Sequence, residues 1–130
     1  MSMTKSFSVE GSITLGSAGS VAADTTWAQS SGDGVDVSSV VGYVSFQFTA
    51  GNSSNALTGD ITLYAIPCLD SASDYSSASE MIPLCVISTP GTVTTTEICS
   101  FDATPYTYLR VGVQNSDESY AATCTLSYRT

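Results

Sequence analysis

Twelve carboxylates and four cysteines hold most of the reactive chemistry in this sequence, which contains no histidine. Without an imidazole, neither a Ser-His-Asp nor a Cys-His nucleophile can be assembled, and the commonest general acid–base is missing. Carboxylates alone could still form a glycosidase-type pair or a calcium loop of about six to eight oxygen ligands. The candidate clusters are Asp33/Asp36, Asp70/Asp74 and Asp117/Glu118. None has the dense D-x-D-x-D spacing of a dedicated calcium loop, and nearly every acid falls among Ser and Gly in an expected turn, where water solvates it. Glu97 is the exception: it lies on an expected strand with no acidic partner near it in sequence. No Gly-rich loop precedes a helix, which removes the nucleotide-binding fingerprints. The expectation is a protein that is not an enzyme and holds no cofactor or metal.

Cys68, Cys85, Cys99 and Cys124 stand 17, 14 and 25 residues apart, with no C-x-x-C pair. That spacing does not suit zinc, whose structural sites draw on closely spaced ligand pairs. Four small buried hydrophobes are the plain expectation. The alternative is disulfide formation, with Cys68–Cys85 and Cys99–Cys124 the most local of three pairings. Pairing depends on Cα separations, so the sequence leaves it open. Among the aromatic residues, Trp27, Tyr43, Tyr64, Tyr75, Tyr106 and Tyr108 could stack on a sugar, although packing in a core or interface is their commoner use.

The elements that must position these residues are strands. A chain of 130 residues reads as one domain, 1–130, with residues 1–5 a candidate N-terminal arm. A net charge of −9, with only Lys5, Arg110 and Arg129 as cations, excludes the basic patch that nucleic acid requires. Seven Tyr, four Phe and long Val/Ile/Thr runs mark a chain that folds. Its first residues lack the apolar stretch of a secretory signal, and no apolar run approaches the ~20 residues that span a bilayer. The reading is a soluble protein made in a cytoplasm, with no membrane partner.

Apolar and polar residues alternate with period two in eight segments separated by Gly/Ser/Asn/Asp/Pro clusters: 5–15 (broken near Gly11), 21–29, 40–49, 60–67, 81–89, 92–101, 106–114 and 120–129. Pro83 suggests an edge strand or a late start to the segment, because proline cannot donate to a ladder. The Thr-rich segment 92–101 has little apolar content, so one of its faces is wet or covered by a partner. Asn115-Ser116-Asp117-Glu118 is short enough for a hairpin between the last two strands. Residues 71–80 allow at most one helical turn. The fold class is therefore all-β: a single antiparallel β-sandwich of seven or eight strands, Ig-like or jelly-roll.

Over about half its length the sequence resembles the small structural proteins of tailed bacteriophages, especially head decoration proteins. The residues that carry the resemblance are Ile61-Thr62-Leu63-Tyr64-Ala65-Ile66, the loop Asp70-Ser71-Ala72-Ser73-Asp74-Tyr75, the Thr-rich strand, and Tyr108-Leu109-Arg110-Val111-Gly112-Val113-Gln114-Asn115 with its closing strand. Ser6-Phe7-Ser8-Val9 opens the chain in the manner of a virion arm. Where such chains often have a Ser-x-Asp-Gly turn, this one reads Cys68-Leu69-Asp70-Ser71. The resemblance implies a cement protein in the virion that binds the major capsid protein or other virion proteins as a homo-oligomer, a trimer by expectation, and stabilises the head. The alternatives are a carbohydrate- or receptor-binding module of a tail or fibre, and a head–tail connector component. The candidate binding residues are Trp27, Tyr43, Tyr64, Asp70, Asp74 and Tyr75.

Overall fold

A computed structural model of the chain describes residues 10–30, 33–69, 81–88 and 91–130. The expected arm at 1–5, the 71–80 segment, and Asp70, Asp74 and Tyr75 lie outside the described residues. Ten strands lie among the described residues: β1 (Glu10–Ile13), β2 (Ser20–Val21), β3 (Thr25–Ala28), β4 (Val35–Asp36), β5 (Tyr43–Gly51), β6 (Ile61–Cys68), β7 (Ile82–Ile87), β8 (Thr94–Asp102), β9 (Tyr108–Asn115) and β10 (Ala122–Arg129). They form two antiparallel five-stranded sheets. Sheet A has the order β1-β10-β5-β8 with β2 also on β10, and sheet B has the order β3-β9-β6-β7 with β4 also on β9.

The pairs β1:β10, β3:β9, β5:β8 and β6:β7 nest inside one another like a single long hairpin wrapped into two layers. That is the jelly-roll arrangement, and it decides against the Ig-like alternative. Alternation builds the core directly. In β5, Val44, Phe46, Phe48 and Ala50 are buried while Tyr43, Ser45, Gln47 and Thr49 face outward. Across the sandwich Leu63, Val111 and Val113 meet them from sheet B, and Leu126 joins from β10. Burying each such side chain contributes about 1.5–3 kcal/mol.

Each of the eight expected segments contains a strand, but three local expectations need correction. The 21–29 segment splits: β2 stays in sheet A, and a turn with Asp24 in the left-handed region (φ 52°) carries the chain to β3 in sheet B. Strand β1 runs unbroken through Gly11. A Cβ there would stand 2.8 Å from the hydroxyl of Tyr128, its cross-strand partner, so the tyrosine ring lies over the glycine. The last two strands do not form a hairpin, since β9 lies in sheet B and β10 in sheet A. Both strands carry an apolar inner face, so the connection arches over the core and gives each a different sheet to complete. Pro83 does sit on an edge strand, β7, next to a bulge where the register shifts between Leu63 and Tyr64.

Candidate functional site

Sheet A leaves its outer face open. Its outward positions on β5, β8 and β10 are almost all hydroxyl or amide side chains: Ser45, Gln47 and Thr49 face Ser100, Ile98 and Thr96 on one side and, in part, Ser127 and Thr125 on the other. Hydrogen bonds between Ser45 and Ser100 hydroxyls (3.1 Å) and between Thr49 and Thr96 hydroxyls (2.7 Å) tie β5 to β8 across this surface. Charged residues appear on it at one end only, where Glu10 is paired in register with Arg129, and Tyr43 with Asp102. Ile98, 74% exposed, is the apolar residue among the hydroxyls.

The outer face of sheet B is largely covered away from its β7 edge, where Val86 stays 45% exposed. Thr62, Ile66, Cys68 and Arg110 all point away from the central core yet are buried. The Met81 methyl lies over Gly112, 1.9 Å from where a Cβ would project. Arg110 is only 4% exposed; its Nη1 donates to the Gln29 carbonyl at 3.1 Å, while Nε and Nη2 have no hydrogen-bond partner among the described residues. The Gln29 amide closes the neighbouring loop, with Oε1 accepting from the Val111 N–H (3.2 Å) and Nε2 donating to the Asp33 carbonyl (2.5 Å).

The described aromatic residues of the expected set do not assemble into a platform. Trp27, on β3, packs half-buried against the core at the side of the sandwich; Tyr43, 64% exposed, stands on the outer face of sheet A. Tyr64 lies on the outer face of sheet B, where its hydroxyl donates to Gln114 Oε1 at 3.0 Å. Three separate surfaces therefore carry Trp27, Tyr43 and Tyr64, while Tyr106 stacks on Phe101 with ring centroids 5.6 Å apart. What the structure adds is a cleft of about 460 Å³ where β1 faces β3 and β4, walled by Trp27 and Tyr128 and lined by Ser12, Gln29, Ser30 and Asp33. Sequence alternation could flag Trp27 but not the opposing Tyr128, which the β1:β10 pairing sets beside Gly11.

Three of the described carboxylates are committed to structure. Asp117, 2% exposed, accepts from the backbone N–H groups of Thr58 (2.8 Å), Gly59 (3.2 Å), Ser119 (3.1 Å) and Tyr120 (2.8 Å). Those donors, the Thr58 N–H first, hold its carboxyl down to about 2. Asp36 accepts from the Ser38 N–H and hydroxyl, and Asp102 from the Thr104 N–H. In both the carboxyl is lowered by these bonds, the side-chain hydroxyl of Ser38 or Thr104 contributing most. Among the described residues no three His, Cys, Asp or Glu side chains gather as metal ligands.

No family model matches the chain, and no curated protein matches it. No helix among the described residues is long and apolar enough to cross a membrane.

All four cysteines are free thiols. The alternative pairings Cys68–Cys85 and Cys99–Cys124 are not formed. Cys85 stands opposite Leu63, five residues along β6 from Cys68, a separation of about 17 Å. Cys99 and Cys124 have β5 between them. Cys68 and Cys124 are buried as small hydrophobes, and burial pushes the Cys124 thiol up to about 12. Cys85 and Cys99 instead face each other with their sulfurs 3.2 Å apart. Either thiol can donate in that contact. Once one ionises, the other's S–H stabilises it: Cys99 is lowered and Cys85 raised by this shared hydrogen bond.

Proposed function

We propose that this chain is a virion structural protein that decorates the outer head lattice of a tailed bacteriophage, docking as a small symmetric oligomer, a trimer in our reading. The jelly-roll alone does not choose this role, because the same architecture serves capsids and lectins. The observation that carries the reading is the outer face of sheet A. In a chain of net charge −9, a whole sheet face is hydroxyl-lined and free of charge except at one end. Such a face can be buried against another protein without stranding ions. The remaining negative surface keeps free copies apart until they dock, and bound copies stabilise the lattice by mass action.

The free edges are less suited to the task. On β8, Glu97 is paired with Phe48 and so occupies the core-facing side of an edge strand, a placement that discourages strand addition; Pro83 and the bulge do the same for β7. Docking therefore falls to the face rather than the β8 edge. The experiment is co-sedimentation of the purified protein with heads stripped of it. Wild-type protein is expected to bind at a fixed stoichiometry per capsid subunit, and a doubly substituted Thr49→Lys/Ile98→Lys protein, folded by circular dichroism, to lose binding at least tenfold. Absence of the chain from purified virions by mass spectrometry would sink the proposal.

A second reading has its own observation. The cleft beside Trp27 and Tyr128 combines an aromatic wall with polar groups, the composition of a glycan subsite in a receptor-binding module. Trp27→Phe, which keeps most of the packing, is the variant to compare with wild type on a glycan array.

A further inference from the structure

Strands β7 and β8 are the edges of different sheets and lie on the same side of the sandwich. Cys85 is opposite Leu63, and Cys99 is opposite Phe46. Both partners belong to the central core, so each thiol sits on the inward side of its edge strand and looks across the gap between the sheets. Their 3.2 Å separation leaves the sulfurs about 1 Å from bonding distance, a difference that side-chain rotation can close. Both residues are only half-buried, so a small oxidant can reach them. Cys68 and Cys124 are buried elsewhere and cannot compete.

We propose that Cys85 and Cys99 form a disulfide site, and that their oxidation joins the two sheets covalently along the β7/β8 side of the sandwich. The oxidant is a low-molecular-weight disulfide such as oxidised glutathione. The Cys99 thiolate attacks one glutathione sulfur; the glutathione S–S bond breaks, and the first glutathione leaves, taking up the proton that Cys99 lost. The Cys85 thiolate then attacks the Cys99 sulfur of the mixed disulfide. The second glutathione departs with the Cys85 proton. Two protein thiols have lost two electrons, and one glutathione disulfide has become two thiols.

The shared hydrogen bond favours the thiolate at Cys99 and keeps Cys85 protonated, with Glu97 a smaller influence against the thiolate at both, so Cys99 is the thiol that attacks first. A chain in a reducing cytosol stays in the dithiol form, and the link closes in an oxidising setting. The 14-residue separation closes a short ring that contains the passage from one sheet to the other, so the link restricts the unfolded chain. This inference rests on the sulfur geometry and is independent of the virion reading.

The test uses the full chain. Protein is incubated with oxidised glutathione, acid-quenched, denatured and alkylated with iodoacetamide. Intact mass is expected to show two alkyl groups after oxidation against four in the dithiothreitol-treated control, with a digest peptide joining Cys85 to Cys99. The oxidised form is expected to melt on the order of 10 °C higher than the reduced form. Cys85→Ser and Cys99→Ser are each expected to abolish that difference. Recovery of four alkylated cysteines, a lasting glutathione adduct, a link that includes Cys68 or Cys124, or equal melting of the linked and reduced forms overturns the proposal. The wild-type measurement decides the chemistry even if a serine variant fails to fold.

Discussion

The two outer faces of the sandwich are made by the same alternation of residues and have opposite fates. On sheet A the outward positions remain in contact with water and are lined by Ser and Thr hydroxyls paired across strands. On sheet B the outward positions Ile66, Cys68 and Arg110 are as buried as many core residues, and Arg110 keeps two guanidinium nitrogens unpartnered among the described residues. A strand's period determines which residues share a face. It does not determine whether that face meets solvent. Sheet A is thus the surface on which substitutions can change binding without changing the fold, and sheet B is part of the stability of the molecule.

The sharpest way to break this contrast is one substitution made on both faces. Ile66→Lys puts an ammonium where the isoleucine is 2% exposed, directly opposite the buried Arg110, and is expected to cost about 4 kcal/mol or more in urea unfolding. Ile98→Lys on sheet A is expected to stay within about 0.5 kcal/mol of wild type. Equal effects would erase the distinction between the faces. Asp117 offers an intermediate test at a position belonging to neither face. Its carboxyl is lowered to about 2 in the folded protein against ~3.9 in an unfolded chain, so its stabilising contribution is complete above about pH 4 and is lost as pH falls from there through 2. Asp117→Asn is expected to lower the melting temperature by roughly 5–10 °C at pH 7 and by progressively less toward pH 2. A difference that does not narrow in acid would contradict the assigned bonds. The smallest effect belongs to the hydroxyl ladder: Thr49→Val removes one cross-strand hydrogen bond and is expected to change stability by about 0.2–1 kcal/mol in chemical denaturation.

How far the sequence reveals this molecule depends on the range of the interaction. Alternation placed Val44, Phe46 and Phe48 inward, and Pro83 marked β7 as an edge. These are properties of a strand and its own residues. The arch between β9 and β10 was misread as a hairpin because Asn115-Ser116-Asp117-Glu118 has the length and composition of either. What separates them is the clasp of Asp117 by the backbone of Thr58 and Gly59, more than fifty residues away. The cysteines follow the same rule. Proximity in sequence favoured Cys68–Cys85, whereas the nested strand order sets Cys85 against Cys99 in the other layer. Tyr128 walls the cleft with its ring lying over Gly11, a contact between residues more than a hundred positions apart.

The outermost pair of the nest joins β1 to β10, more than a hundred residues apart in the chain. During synthesis β1 therefore waits without a ladder until β10 has left the ribosome, and the sandwich closes only after translation has passed that point. Distant pairing of this kind is slow, in the millisecond-to-second range for small β domains. A high proportion of soluble Ser and Thr side chains gives the waiting chain a means of staying dispersed until its two ends meet.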